Sequence, residues 1–307
     1  MFDCLCGLWY NVCRKGVLFP FVTFHSNKNT KYFSMFVIDE TKKSMLKTLV
    51  ESGKNCLVTG ATGAGKTTLC YHLAEEMGMN PIVINCGGTQ DARSSLFGYF
   101  SLQDGNTKFE KADFLNALST PNTLIILDEL SRASDDAYNL IFPILDFRRD
   151  VRVDELEGDD KMITVDPSVR FIATANIGIE YSSTRSIDRA LQDRFISFNL
   201  PYLEGKDLKK FIRSTHGSEV AKDSSQLLKL YDYSHKMFGQ GKISTRISTR
   251  AVLDVIPLCA QFKLSDVLDY VVLSIFEQDS SSIVNDANIL REYADSLGVY
   301  TEAVDNG

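Results

Sequence analysis

The chain has 307 residues, is 44% hydrophobic, and carries 33 basic against 40 acidic residues for a net charge of −7. That length and apolar content suffice for one large core or two adjacent ones. The acidic balance weighs against a protein built mainly to coat nucleic acid, and no uninterrupted apolar stretch reaches the length of a membrane span.

Residues 1–34 differ in texture from the rest. They mix aromatics, cysteines and the polar stretch HSNKNTK without a clear period. The first residues are apolar but contain Asp3 and lack a basic leader, which makes a poor secretion signal. Cys4, Cys6 and Cys13 fit no tetrahedral metal spacing. Met35 opens a more ordinary beginning, so residues 1–34 read either as a small extension or as an artefact of start-site choice. The seven cysteines are an odd count. Cys56 and Cys86 fall in strand-like runs, Cys70 and Cys259 on helical stretches, so they read as small buried hydrophobes of a reducing compartment, hence the cytoplasm.

From Val50 onward, apolar runs alternate with helical patterns. NCLV (55–58), PIVINC (81–86), TLIILDEL (123–130), RFIATAN (170–176) and RFISFNL (194–200) are near-continuous Val, Ile and Leu segments. Such runs are strands buried on both faces, which predicts a parallel α/β sheet. Ligands bind at the carboxyl ends of such strands, where Thr59, Asp128 and Asn176 fall.

The first run leads into TGATGAGKTTLCYHL, whose Gly60, Gly63, Gly65, Lys66 and Thr67 fit G-x-x-x-x-G-K-[ST]. Glycines let backbone N–H groups converge on an anion, and the helix that follows aims its positive end at the same place. Leu69, Cys70, Leu73, Ala74 and Met77 recur at helical spacing behind the loop. Strand, glycine loop and helix together predict a phosphate cradle formed by Gly60, Ala61, Thr62, Gly63, Ala64, Gly65, Lys66, Thr67 and Thr68. Lys66 would face the outer phosphates and the Thr67 hydroxyl would ligate Mg²⁺.

Asp128 and Glu129 end the third run as adjacent carboxylates. The first suits Mg²⁺; the second suits polarising an attacking water. Asn176 could orient that water or sense the γ-phosphate. SIDRALQDRF supplies Arg189 and Arg194; Arg194 precedes the fifth run, beside Asp193, and an arginine there could be donated across a subunit interface. After Pro201, Leu208 with Ile212, Leu227 with Tyr231, Ala251 through Cys259, and Val267 through Ile275 mark four helices of a smaller all-helical domain. Arg250 opens the third of these, which Thr249 or Ser248 could cap, and could reach back to the nucleotide.

The ordered set GATGAGKT, LIILDELSRAS, FIATAN, ALQDRF and STRA resembles the AAA+ ATPases, and more narrowly their MoxR and dynein-related branch, over roughly residues 39–276. SSLFGYF (94–100), FEKADFLNAL (109–118) and the stretch before Arg170, expected as a β-hairpin, extend the likeness. The resemblance implies a five-stranded parallel P-loop sheet sandwiched by helices over 35–200, a helical lid over 201–300, and a tail over 301–307. It implies Walker A at Gly60–Thr67, Walker B at Asp128 and Glu129, sensor 1 at Asn176, an arginine finger at Arg194 and sensor 2 at Arg250. It also implies ATP with Mg²⁺ at the subunit interfaces of a ring, usually a hexamer. Two features depart from the pattern: Pro143 should kink or shorten its helix, and the repeat STRISTR leaves Arg246 as a rival for sensor 2.

The sequence says less about what such a motor acts on. Tyr99 or Phe100 could grip a polypeptide in a central pore, or pack under an insertion. Three functions stay open: an ATP-driven remodeller of a partner protein or inserter of a cofactor or metal, a nucleic-acid motor or GTP-fuelled restriction subunit, and a nucleotide-gated scaffold. A small-molecule kinase fits the acid pair and the downstream arginines poorly.

Overall fold

In a computed structural model, the described residues are 38, 40–88, 91–103, 105–176, 192–277 and 286–300. Residues 1–34, Arg189 and the tail lie outside them. All the apolar runs form strands: β1 (Cys56–Gly60), β2 (Asn80–Asn85), β5 (Thr123–Asp128), β8 (Arg170–Asn176) and β9 (Ile196–Asn199). They make one parallel sheet in the order β2-β5-β8-β1-β9.

The sheet is sandwiched, as expected. Helices α1 (Glu40–Glu51) and α2 (Lys66–Glu76) cover one face, where Leu46, Leu69 and Leu73 meet Val58, Leu124, Ile126 and Ile172. On the other face α3 (Ala92–Leu96), α4 (Asp113–Leu118) and α5 (Asp135–Leu145) bring Leu96, Phe114 and Ile141 against Leu57, Ile125, Leu127, Phe171 and Ala173. Successive residues of each strand thus enter opposite cores, as a period of two requires. Extending that period puts Asp128 on the face of Leu124 and Ile126, and Thr174 and Asn176 on the face of Ile172. The site-bearing edge is the continuation of the α1–α2 face.

Two antiparallel hairpins project from this frame. One is β3 (Gly98–Gln103) with β4 (Asn106–Lys111). The other, β6 (Asp150–Arg152) with β7 (Met162–Thr164), is the hairpin anticipated before β8. Tyr99 and Phe100 do not pack under the first hairpin. They are 57% and 58% exposed, with Phe100 edge-on to Phe109 at 5.3 Å. Pro143 lies inside α5 without ending it: Ser134 caps the helix by accepting from the Ala137 N–H, and the helix runs on to Leu145, two residues past the proline, although the proline ring supplies no N–H to the turn before it.

After Pro201 the described chain is helical: α6 (Gly205–His216), α7 (Ser218–Asp223), α8 (Ser225–Gly239), α9 (Thr249–Cys259), α10 (Leu264–Val267), α11 (Ser274–Glu277) and α12 (Asp286–Ser296). These helices share a core of their own, including Leu208, Ile212, Leu227, Tyr231, Val255, Leu268 and Leu290. The fourth helix expected from the sequence is interrupted by a π turn at Leu268–Val272, which separates α10 from α11. No helix among the described residues is long and apolar enough to cross a membrane.

Candidate nucleotide site

The glycine loop connects the end of β1 to the start of α2 through two positions that other residues would strain. Gly60 has φ 154°, and a Cβ there would come 2.5 Å from the Leu200 carbonyl oxygen. Gly65, with φ 83° and ψ 23°, is the left-handed cap from which α2 begins. Lys66 follows at once and is buried. Its ammonium donates to the carbonyls of Gly60 (3.0 Å) and Ala61 (2.8 Å) and to Asn176 Oδ1 (2.6 Å). Asn176 is in reach because β8 lies beside β1 with Gly60 and Asn176 as register partners. Burial pushes the Lys66 pKa down to about 8; the Asp128 and Glu129 carboxylates oppose that shift and Arg250 adds to it.

Asp128 ends β5 as a hydrogen-bond hub. Its Oδ1 accepts from Thr67 Oγ1 at 2.8 Å and from Thr174 Oγ1 at 2.5 Å. Thr174 in turn accepts the Glu129 backbone N–H at 3.0 Å. The sequence reading missed Thr174. The signal was present, since it lies two residues before Asn176 on a strand and therefore on the same face. Glu129 itself turns off the strand in the left-handed region, at φ 54° and ψ 40°.

The arginines separate by position. Arg250, with Thr62, Gly63, Gly65, Lys66, Thr67, Thr68, Asp128, Glu129, Thr174 and Asn176, lines one cleft of about 150 Å³. Its Cβ and that of Ser248 would stand 3.5 and 3.3 Å from a Cβ added to Gly63. The cap of α9 is Ser248, whose hydroxyl accepts from the Ala251 N–H; Thr249 instead meets the Tyr231 hydroxyl at 3.1 Å. Arg246 does not line the cleft. Its guanidinium lies over the rings of Tyr202 (4.2 Å) and Phe238 (4.5 Å). Arg194 is also outside the cleft of its own chain, 3.5 Å from Asp146 and over the Phe142 ring at 5.0 Å.

The residues present fit a magnesium–nucleotide complex. Thr67 and Asp128 offer two hard oxygen donors 2.8 Å apart at the start of α2. Lys66 and Arg250 supply the opposing positive charge in the same cleft. A neighbouring cavity of about 410 Å³, lined by Ile38, Lys42, Ala64, Tyr202 and Asp207 among others, touches the same loop at Ala64 and is large enough for a nucleobase.

Residues 55–195 match the AAA domain of the dynein-related subfamily. An uncharacterised protein of Staphylococcus saprophyticus is 26% identical over 258 residues, covering 82% of this chain and 94% of that protein. BssE of Thauera aromatica, named as a candidate chaperone, is 29% identical over 200 residues, covering 65% of this chain and 67% of its own. A solved structure named as a candidate ATPase of Cytophaga hutchinsonii aligns with 83% of this chain and 89% of its own at 17% identity and a TM-score of 0.44.

Proposed function

We propose that this chain works as an AAA+ ATPase, its residues 55–195 matching the AAA domain of the dynein-related subfamily. The chain assembles into a ring, with ATP held between neighbouring copies, and spends the nucleotide on remodelling a partner protein in the cytoplasm. The observation that carries this reading is the convergence of Lys66, Thr67, Asp128, Glu129, Asn176 and Arg250 on one cleft while Arg194 stays outside it.

Within the cleft, each side chain has a task. Lys66 and Arg250 set positive charge against the phosphates. Thr67 and Asp128 would hold a magnesium ion, which would supply charge neutralisation for the phosphates. Asn176 orients the attacking water, and Glu129 takes its proton. The base occupies the cavity beside Ala64. Arg194 is partly exposed and lies outside the cleft, against Asp146 and the Phe142 ring of its own chain; on this reading it serves a neighbour's phosphates. The chaperone name attached to a relative favours a protein as the object of the work.

The test is sedimentation of the purified chain with and without Mg-ATP, alongside turnover measured against protein concentration. Assembly with turnover that rises as rings form is expected. Nucleotide uptake by a monomer whose turnover ignores its concentration would overturn the ring. Affinity capture with Glu129→Gln in ATP then identifies the partner; recovery of nucleic acid in place of a protein would move the reading to a nucleic-acid motor.

A further inference from the structure

Glu129 is held from two sides by groups outside the glycine loop. Its Oε2 accepts from Arg132 Nη1 at 3.0 Å. The same oxygen rests against Gly87, where an added Cβ would stand 3.1 Å from it and 3.2 Å from Arg132 Cβ. Arg132 closes the short 3₁₀ turn Leu130–Arg132 that begins directly after Glu129, and Gly87 lies in the turn Cys86–Gly88 after β2. These turns come together because β2 and β5 are paired, with Asn85 opposite Asp128.

Gly87 is informative because its backbone does not require glycine. It is not among the residues with positive φ. What glycine provides there is room, and the room is filled by the Glu129 carboxylate and the Arg132 stem. A glutamate terminus is otherwise loosely fixed, since its last torsion has a broad profile. Here the backbone N–H is anchored on Thr174, the carboxylate is anchored on Arg132, and among the described residues Oε1 takes no hydrogen bond.

We propose that Arg132 is the positioning residue for hydrolysis: it pins Oε2 of Glu129 against Gly87 and so presents Oε1 to the attacking water. This rests on the reading of Glu129 as the water-polarising carboxylate. In the step concerned, the water oxygen bonds to the γ-phosphorus and the bond from that phosphorus to the β–γ bridging oxygen breaks. One water proton passes to Oε1 and from there to solvent. Arg132 exchanges no proton; it restricts where the carboxylate can be. Both side chains of the pair are more than a third exposed, so the contact adds little to folding stability.

The test uses the full chain. Steady-state ATP turnover is measured for Arg132→Ala, Arg132→Lys, Gly87→Ala and Glu129→Gln, with dissociation constants for a fluorescent ATP analogue and melting temperatures. Arg132→Ala should lower kcat by about tenfold or more while KM, analogue affinity and melting temperature hold, the pattern of lost orientation. Arg132→Lys should recover part of the rate. Gly87→Ala, whose Cβ would press on both Oε2 and the Arg132 stem, should lower kcat in the same way. If Glu129→Gln abolishes turnover but Arg132→Ala leaves kcat unchanged or raises it, the positioning role is wrong and the base stands. A rise in KM in place of a fall in kcat also removes the positioning role. Undiminished turnover in Glu129→Gln removes the base itself, and the proposal with it.

Discussion

The Arg246 guanidinium stacks over the Tyr202 ring at 4.2 Å, and Tyr202 donates its hydroxyl to the Thr62 carbonyl at 3.1 Å. An arginine of the helical region is thereby joined to the glycine loop through one aromatic side chain. His235 fills the edge of the same ring at 4.4 Å; burial lowers its pKa to about 4, so it is neutral there and does not repel the guanidinium.

Arg246→Ala should therefore loosen the join while sparing the chemistry. Loss of contacts to two rings should cost about 1–2 kcal/mol in denaturant unfolding. Arg250→Ala should show the reverse, with near-normal stability and weakened binding of a fluorescent ATP analogue. Tyr202→Phe, which keeps the ring and removes only the bond to Thr62, should fall between them. Equal losses of nucleotide affinity in both arginine variants would mean that Arg246 shares the phosphate-sensing role.

Lys66 predicts two opposite pH trends. Its folded pKa of about 8 lies below its ordinary value of 10.5, so between them the unfolded chain binds more protons than the folded one. The stability contribution of this group therefore rises with pH across that window, because a buried charge is being discharged. A polyphosphate needs that charge, so binding takes up a proton above about pH 8 and affinity falls there by up to about tenfold per pH unit. Calorimetry of ADP binding at pH 8.5 in buffers of different ionisation enthalpy reads the uptake directly. Lys66→Arg, which stays protonated, should abolish it.

Thr174→Val should damage both stability and rate. The hydroxyl it removes donates to Asp128 and accepts from the Glu129 N–H in a fully buried position. An orphaned buried N–H costs about 1–3 kcal/mol, which denaturant unfolding would detect. Turnover should fall with it, since the backbone that aims Glu129 is released. Wild-type values of both would show that the hub is dispensable.

Arg194→Ala should lower turnover by about a thousandfold at concentrations where rings form, if the guanidinium acts on a neighbour's nucleotide. Mixing it with Lys66→Ala, itself inactive, should restore part of the rate, because some interfaces then combine an intact loop with an intact arginine. Undiminished turnover of Arg194→Ala alone removes the finger assignment.

Much of this architecture was legible in the chain's text. Five apolar runs became the five strands; β5, β8 and β1 in the middle are buried along nearly their whole length, while the edge strands β2 and β9 are more open than such runs predict because each has a neighbour on one side alone. The loop was legible because its glycines and Lys66 sit at fixed spacing between a strand and a helix. What escaped was what depends on tertiary placement. Arg246 and Arg250 stand in identical local text, STR, and only the approach of Ser248 and Arg250 to Gly63 tells them apart. Arg132 and Gly87 become neighbours through a strand pairing invisible along the chain. Tyr99 and Phe100 could have been buried or exposed on the same letters. The short polar α7 offers no apolar stripe to read, and the π turn at Leu268–Val272 shifts a register that a regular helical period would have continued.

The pairing of Gly60 with Asn176 has a consequence for how this chain can change over time. Lys66 is tied to both residues, so it measures the length of β8 as well as its composition. Swapping one apolar residue for another in β8 disturbs packing locally. Losing a single codon there would turn every later side chain to the opposite face and carry the amide away from the ammonium. Drift should therefore accumulate as replacements in β8, while gained or lost residues are purged from it and collect in the projecting hairpins.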